Sequence, residues 1–193
     1  MPQYTLLEAT ASTNTYLAEH AASLPHGMVV YTHHQTAGRG QKGNSWEAES
    51  GKNLTFSMLL RRPAVAVKQQ FAISEAVSLA IAEVAGALVP HVKVKWPNDI
   101  YCGDRKLCGI LIEHSLESGA IAHTIAGVGL NVNQLHFCSD APNPVSLAQI
   151  TGHELNLDDL LHRVCERIER LCDFACPDHP GLEALHHSYL KEL

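Results

Sequence analysis

Residues 35–46 bring together the residue types that bind an anion. The run Gln35-Thr36-Ala37-Gly38-Arg39-Gly40-Gln41-Lys42-Gly43-Asn44-Ser45-Trp46 combines glycines with two cations and an indole. Glycine lets backbone N–H groups approach a ligand closely, Arg grips phosphate or carboxylate with a forked pair of hydrogen bonds, and Trp offers a flat face. The run therefore predicts a loop that closes over an anion. A basic surface loop with no ligand would have the same composition.

The glycine spacing in this loop matches a dinucleotide-binding pattern, but its surroundings do not. Gly38, Gly40 and Gly43 fit G-x-G-x-x-G, which binds pyrophosphate at the start of a helix. Residues 44–53 show no helical period, and a strand-like run follows at residues 54–60. The predicted context is strand–loop–strand, which argues against a Rossmann site. A Walker P-loop is excluded because Gly-Lys-Ser/Thr does not occur.

Composition limits the classes of protein to consider. The chain has 193 residues, 46% of them hydrophobic and 18% charged, which suits one domain with a substantial core. A net charge of −6 argues against general nucleic-acid binding, so no DNA partner is expected. No apolar run approaches the roughly 20 residues of a membrane span, so no membrane partner is expected either. No signal peptide is visible at the N-terminus.

The six cysteines predict reduced thiols and a cytoplasmic location, because they form no C-x-x-C pair and follow no secretory signal. Cys172, Cys176 and His179 are close enough in sequence to suggest a metal site. However, Cys165 and Cys172 lie seven residues apart on one apolar helix face, which is typical of small core residues. Core packing is therefore the preferred interpretation.

Hydrophobic periodicity predicts an α+β fold with a mixed, largely antiparallel sheet and helices packed on one face of it. The predicted helices cover residues 12–24, 68–89 and 182–193, and a further amphipathic helix begins at Leu157 and ends before Pro177. The predicted strands cover residues 28–32, 54–60, 92–96, 100–102, 107–116 and 120–132.

Chemically useful residues recur in separated segments of this predicted fold. They are Ser12-Thr13-Asn14, residues 35–46, Lys95-Trp96-Pro97-Asn98-Asp99, Arg105-Lys106-Leu107-Cys108-Gly109 and Gly127-Val128-Gly129-Leu130-Asn131. Taken singly, each has a structural explanation as a helix cap, a turn, a solvated strand face or a β-bulge.

Together and in this order, the segments resemble the biotin protein ligases over about residues 7–133. The Lys-Trp-Pro-Asn-Asp run is highly specific, and Gln-Thr-Ala-Gly-Arg-Gly and Gly-x-Gly-x-Asn add to it. The resemblance implies the catalytic-domain fold that biotin and lipoate ligases share, and residues 1–193 are expected to be that domain. It also leads us to expect no N-terminal DNA-binding domain, hence no repressor role. The family's small C-terminal β domain, of about 50 residues, is expected to be absent or truncated.

By resemblance, the chain joins biotin to ATP as biotinyl-5′-AMP and then transfers biotin to a lysine of a carboxylase. The partner implied is the biotin carrier domain of acetyl-CoA carboxylase or a related carboxylase, and a homodimer is also compatible with the family. ATP and Mg²⁺ are the implied cofactors, with biotin as substrate. The alternatives are a lipoate or octanoate ligase of the same fold and a biotin-binding regulator without turnover.

The resemblance also assigns residues. Lys106 and Arg39 match the catalytic cations, and Lys106 is expected to touch both carboxylate and phosphate. The residues implied for biotin are Ser12, Thr13, Asn14, Gln35, Gly38, Arg39, Gly40, Gln41, Lys106, Gly109 and Gly127. Those implied for ATP are Arg39, Gln41, Lys42, Trp46, Asn98, Asp99, Lys106 and Asn131, with Asn131 reading adenine.

Two of these positions carry specific expectations. No residue is expected to bind a metal ion directly. Asp99 is expected to hold Mg²⁺ indirectly or to orient Lys106, the alternative being a turn cap. Gln41 stands where many members have Arg, so one charge facing the adenylate is missing, and Lys42 is the candidate to compensate for it.

Overall fold

The computed structural model describes residues 1–61, 66–138, 143–175 and 179–193, with Lys42 described by its backbone alone. The strands are β1 Gln3–Thr10, β2 Met28–Gln35, β3 Leu54–Leu60, β4 Val92–Lys95, β5 Asp99–Cys102, β6 Arg105–Glu117 and β7 Ala120–Leu130. The α-helices are α1 Thr13–His20, α2 Phe71–Gly86, α3 Leu147–Thr151, α4 Leu157–Phe174 and α5 Leu182–Lys191.

All seven strands join one sheet in the order β1-β2-β3-β7-β6-β5-β4. Only β1 and β2 are parallel, and every other neighbouring pair is antiparallel. The short hairpins β4–β5, β5–β6 and β6–β7 account for most of this pattern, because a tight turn reverses the chain. The predicted mixed, largely antiparallel sheet is confirmed.

Helices cover both faces of the sheet, so the expectation of helices on one face is wrong. Along β3, Phe56, Met58 and Leu60 belong to the large core that α2, α4 and α5 cover. Leu59 points the other way and packs with Leu17 of α1. Side chains alternate across a strand, so these two clusters lie on opposite faces. The second face was missed because Thr55 and Ser57 alternate with apolar residues along β3, which suggests a solvated face, although every position of β3 is buried.

Two elements were absent from the sequence prediction. β1 lies at the edge of the sheet and is mostly half-exposed, so its hydrophobic pattern is weak. α3 is only five residues long, although its capping box of Ser146 and Gln149 was a readable signal. α1 is shorter than predicted, because a turn at residues 21–23 follows His20.

The predicted core cysteines are buried, as expected for Cys165 and Cys172. Cys176, the third member of the suggested metal cluster with His179, lies outside the described residues. Within the described residues, no group of three or more His, Cys, Asp or Glu side chains is placed to hold a metal ion. None of the helices in the described ranges is long and apolar enough to cross a membrane.

Candidate active site

A pocket with a cavity volume of about 360 Å³ opens on the sheet face that carries α1. Its floor lies where β7 contributes Gly127 and Gly129. Gly129 faces Gly109 on β6, and Gly127 faces Ser57 on β3. Glycine leaves no side chain above the sheet, so this part of the face is hollow. The hollow can therefore take a ligand or the side chains of neighbouring segments.

The N-terminus of α1 supplies one polar wall of the pocket. Ser12 caps the helix, and its side chain accepts a hydrogen bond from the backbone N–H of Thr15. The backbone N–H of Thr13 donates to Gln35 Oε1 at 2.9 Å, and Thr13 Oγ1 lies 2.7 Å from Ser57 Oγ. Ser12, Thr13 and Ser57 are all buried. The cap thus turns the first helical residues toward the sheet and holds them there.

Asn14 extends this polar wall across the sheet. Its Oδ1 accepts from Ser57 Oγ, and its Nδ2 donates to the carboxylate of Glu113 at 2.7 Å and to Leu111 O at 3.3 Å. A Cβ at position 127 would lie 2.2 Å from Asn14 Oδ1, so only glycine fits there. The position of the Asn14 side chain therefore requires glycine at position 127.

The predicted anion-binding loop is folded on itself. Arg39 pairs with Ser45 as an antiparallel bridge, Gly40 N donates to Asn44 O at 2.6 Å, and Trp46 N donates to Gly38 O at 3.0 Å. No α-helix begins here, and a single 3-10 turn covers Gln41–Gly43. The strand–loop–strand context that argued against a dinucleotide site is confirmed.

The indole of Trp46 lies over the glycines of the pocket floor. A Cβ at Gly129 would be 2.2 Å from Trp46 Cε2, and a Cβ at Gly109 would be 2.9 Å from Cζ3. Trp46 Nε1 is buried without a hydrogen-bond partner among the described residues. Lys106 Nζ lies 5.9 Å from the centre of the indole ring. The loop therefore closes one side of the pocket with an aromatic wall.

Lys106 and Asp99 form the charged end of the pocket. Lys106 Nζ lies 2.9 Å from Asp99 Oδ2, and both side chains are largely buried. The backbone of Lys106 is fixed by bonds to Asn143 O at 2.8 Å and from Val145 N at 2.9 Å. Asp99 Oδ1 is buried with no partner in the described part of the chain. Within the described residues, Asp99 Oδ1 is thus an acceptor without a partner. It lies beside Lys106, whose position is set by its backbone hydrogen bonds and its ion pair.

The run 95–99 is attached to β6 through Asn98. Asn98 Nδ2 donates to Ile110 O at 2.8 Å, and Ile110 N donates to Asn98 O at 2.9 Å. The Trp96–Pro97 peptide bond is cis, and Trp96 is 66% exposed at the rim. Asn98 therefore shapes the turn that places Asp99, a role that its predicted contact with ATP did not include.

Arg39 reaches across the pocket mouth to a carboxylate that the sequence prediction missed. Its Nη1 and Nη2 donate to Glu113 Oε1 and Oε2, each at 3.1 Å. The alternation of β6 was the available signal, because Leu111 and Glu113 share the pocket face. The guanidinium is thus paired within the chain, and its expected contacts with biotin and ATP stay predictions.

The structure gathers most of the predicted site residues around one pocket. Those that line it are Ser12, Thr13, Asn14, Gln35, Arg39, Gly40, Gln41, Trp46, Asn98, Asp99, Lys106, Gly109 and Gly127. The side chain of Lys42 lies outside the described part of the structure.

Gly38 and Asn131 are not among the lining residues. A Cβ at Gly38 would lie 2.5 Å from Trp46 O, so this glycine serves the fold of the loop. Asn131 is buried, and its Nδ2 donates to Val145 O at 3.1 Å, which leaves only Oδ1 without a partner in the described residues. The predicted contacts of these two residues with ligands stay predictions.

Three buried cysteines are poorly suited to act as nucleophiles, and none of the three lines the pocket. Burial raises the pKa of the Cys108 and Cys165 thiols well above the usual range, and it also raises the pKa of Cys102. A thiol with a raised pKa carries little of the reactive thiolate at neutral pH. Chemistry at this pocket must therefore use other groups.

A model of the biotin/lipoate A/B protein ligase family matches residues 6–131, which include every segment of the pocket. The chain belongs to this family. Its relatives include the bifunctional ligase/repressor BirA of Escherichia coli, 38% identical over 131 residues that cover 66% of this chain and 40% of that protein. BirA of Bacillus subtilis is 30% identical over 194 residues, covering 95% and 57%. The chain thus spans 40% and 57% of the lengths of these two relatives.

Solved structures of the family share the fold. The biotin protein ligase of Aquifex aeolicus in complex with biotin and ATP superposes with a TM-score of 0.83 at 25% identity, covering 100% of this chain and 79% of that one. The Leishmania major enzyme in complex with biotinyl-5-AMP gives a TM-score of 0.83 at 20% identity, covering 100% and 82%. These likenesses confirm the predicted α+β ligase fold.

We expect Gly129→Ala to displace the Trp46 indole, because the added Cβ would overlap its ring. Overpacking of this kind costs about 1–3 kcal/mol of unfolding free energy. Tryptophan fluorescence should shift to longer wavelength as the indole gains contact with water, and urea unfolding should report the loss of stability.

Gly86→Ala is the matched control, since its added Cβ meets no heavy atom of the described residues within 4 Å. It should leave the spectrum unchanged. Adding Trp46→Ala to Gly129→Ala removes the overlap, so the two stability losses should not add. An unshifted spectrum in Gly129→Ala would contradict the indole position described here.

Proposed function

We propose that this chain activates biotin with ATP to form biotinyl-5′-AMP and passes the biotinyl group to a lysine of a carrier domain. The observation that carries the proposal is the pairing of Lys106 with Asp99 at one end of a pocket whose other end is a buried polar wall. Family membership and the relatives named biotin–[acetyl-CoA-carboxylase] ligase support it.

The pocket suits a ligand with a polar ring, an apolar body and a carboxylate. Its volume lies near the lower end of the roughly 300–1,000 Å³ typical of small-molecule sites. Thr13 and Gln35 line this wall and carry donors and acceptors that could address the ureido ring of biotin. Trp46 and the glycine floor flank the path from this wall to Lys106. The carboxylate would then lie at the cationic end.

Adenylation brings two anions together, so neutralising and positioning charge is the main task of the protein. A carboxylate oxygen of biotin attacks the α-phosphorus of ATP, the bond from that phosphorus to the bridging oxygen breaks, and pyrophosphate leaves. Lys106 Nζ lies where it can hold the attacking carboxylate beside the α-phosphate. We assign this role to Lys106 because its side chain is largely buried, and the effect of a charge grows where water is excluded.

The acidic residue of the pocket fits the implied cation. Mg²⁺ is usually bound through one or two carboxylates together with substrate phosphates and water. Asp99 Oδ1 is a buried acceptor without a partner in the described residues. Asp99 would therefore hold Mg²⁺ indirectly, and the ion would supply further neutralisation of phosphate charge, while Asp99 Oδ2 orients Lys106.

The transfer step needs no nucleophile from this chain. The amine of a carrier lysine attacks the carbonyl carbon of the mixed anhydride, AMP leaves, and an amide forms. This agrees with the raised pKa of the buried Cys108 thiol. The partner we propose is the biotin carrier domain of acetyl-CoA carboxylase or a related carboxylase, and the compartment is the cytoplasm, where free thiols persist.

A lipoate or octanoate ligase is the main competing function, because the family includes both chemistries. The Lys95-Trp96-Pro97-Asn98-Asp99 run and the glycine loop of residues 35–46 argue against it, and so do the relatives named biotin–[acetyl-CoA-carboxylase] ligase. A regulator that binds biotin without turnover would leave the Lys106–Asp99 pair without a task.

The purified chain, given biotin and ATP, should release pyrophosphate and form biotinyl-5′-AMP detectable by mass spectrometry. Lipoate and octanoate in place of biotin should give no adenylate. Tighter binding of lipoate than biotin in competition calorimetry would assign the chain to the other branch of the family. Biotin binding without pyrophosphate release would instead indicate a regulator.

Lys106→Ala should slow adenylation by about 10²–10³-fold, the scale of one lost transition-state contact. The measurement is the single-turnover rate of biotinyl-5′-AMP formation, with circular dichroism to confirm folding. Lys93→Ala removes an equal charge from an exposed position on β4 and should leave the rate within about threefold. A near-normal rate in Lys106→Ala would remove this lysine from the assigned role.

Gln41→Arg should slow the dissociation of biotinyl-5′-AMP about tenfold, which corresponds to about 1.4 kcal/mol. Gln41 lines the pocket, so a cation there would face the phosphate of the adenylate. Stopped-flow competition with excess biotin gives the off-rate. Gln3→Arg makes the same charge change on β1, away from the pocket, and should have no effect. An unchanged off-rate in Gln41→Arg would show that this position does not contact the adenylate.

A further inference from the structure

Glu113 is a carboxylate beside the pocket that the proposed chemistry does not use. On β6 it lies opposite Ile125, whose side chain packs in the cluster around α1. Ile112, the residue before Glu113, packs against the core on the other face, as Ile110 does. Neighbouring side chains of a strand point to opposite faces. Glu113 therefore projects toward α1 and the loop, next to the pocket but not among its lining residues.

Its carboxylate receives three hydrogen bonds from two different segments. Arg39 supplies two of them with the forked geometry in which guanidinium binds carboxylate most specifically, each at 3.1 Å. Asn14 Nδ2 supplies the third at 2.7 Å. Arg39 Nη2 also reaches Thr15 Oγ1 at 3.4 Å, so the guanidinium is seated against α1 as well.

Asn14 connects this carboxylate with the buried polar wall. Asn14 Oδ1 accepts from Ser57 Oγ, which lies 2.7 Å from Thr13 Oγ1. Asn14 is 4% exposed and Ser57 is 0% exposed. The orientation of Glu113 is thus set by buried groups, and the same groups form the wall that we propose to bind the ureido ring.

The position of Arg39 determines the position of the rest of the loop. Arg39 bridges to Ser45, and Gly40 bonds to Asn44. Trp46 bonds back to Gly38. Because these bonds make residues 38–46 one folded unit, holding the guanidinium also holds the indole over the pocket floor.

The ion pair between Arg39 and Glu113 does not act through the stability of the whole fold. The side chains of Arg39 and Glu113 are 47% and 37% exposed, and ion pairs this exposed contribute little to unfolding free energy. Their effect is local, because the pair joins the loop of residues 38–46 directly to β6. A contact of small energy can still decide whether a loop is open or closed.

We propose that Glu113 is a positioning residue that seats the loop of residues 38–46 on the pocket through Arg39. Through Asn14 it couples the seated loop to the polar wall. This seat, meaning the hydrogen bonds that join Arg39 of the loop to Glu113, follows from contacts within the chain. The coupling to biotin rests on the proposed function.

The seat can be tested without any substrate by limited trypsin digestion. Cleavage after Lys42, quantified by mass spectrometry, reports how often the loop opens. We expect Glu113→Gln to raise this cleavage rate about tenfold, because the neutral amide cannot hold the guanidinium with two charge-assisted bonds. Glu117→Gln removes an equal charge from the exposed end of the same strand and should cleave at the wild-type rate.

A second variant separates the seat from a general loss of structure. Arg39→Gln should raise cleavage after Lys42 as much as Glu113→Gln does, and the double variant should add nothing further. Cleavage after Arg163 in α4 should stay unchanged, since it rises only if the whole fold opens. Wild-type cleavage after Lys42 in Glu113→Gln, or additive effects in the double variant, would overturn the proposal.

Kinetics then test the coupling to the polar wall. In Glu113→Gln the KM for biotin should rise about tenfold while kcat changes by less than about threefold, as expected for a residue that positions rather than reacts. A fall in kcat with unchanged KM would overturn the positioning role. If the wild-type chain makes no adenylate, the proposed function fails, and the digestion still decides whether Glu113 seats the loop.

Discussion

The close approach of two side chains to the glycines of β6 and β7 is the constraint on which the pocket depends. Asn14 occupies the space above Gly127, and Trp46 occupies the space above Gly109 and Gly129. A methyl group at any of these glycines would overlap one of the two side chains. At these three positions the sheet therefore has no side chain on this face, and α1, at eight residues, covers only part of the gap. The hollow exists because these strand positions are glycines.

The sequence predicted that the glycines belong to the site because they allow a ligand to approach closely. The structure adds that side chains of the protein itself occupy the space above them. The sequence places them next to reactive residues, and glycine permits close approach by any group. Which group approaches depends on the tertiary arrangement of α1 and the loop, which no local pattern encodes. At Gly38 the group is the backbone of Trp46, so the glycine is required before any ligand arrives.

Sequence reasoning succeeded where the signal is local or carried by a motif. The hairpins of β4 to β7 follow from alternation and turn residues, and the cap at Ser12 follows from its position before a helical run. It failed for pairs that meet only in three dimensions. Arg39 and Glu113 are 74 residues apart, and the sequence around each of them contains no pattern that indicates the other as its partner. Glu113 was therefore missed as the partner of Arg39, whose expected contacts with biotin and ATP stay predictions.

The contrast between the two halves of the pocket argues for a division of tasks. On the sheet side, Thr13, Asn14 and Ser57 are buried and bonded to one another, so disturbing them would cost about 1–3 kcal/mol for each polar group left unsatisfied. On the loop side, the ion pair with Glu113 is partly exposed and contributes little to the free energy of unfolding, so the loop can open while the sheet side stays folded. A site with this asymmetry keeps its recognition surface fixed while the cover opens. The proposed function would use that combination, because substrate entry, shielding of a reactive anhydride from water and later access for a carrier lysine each need a cover that can open and close.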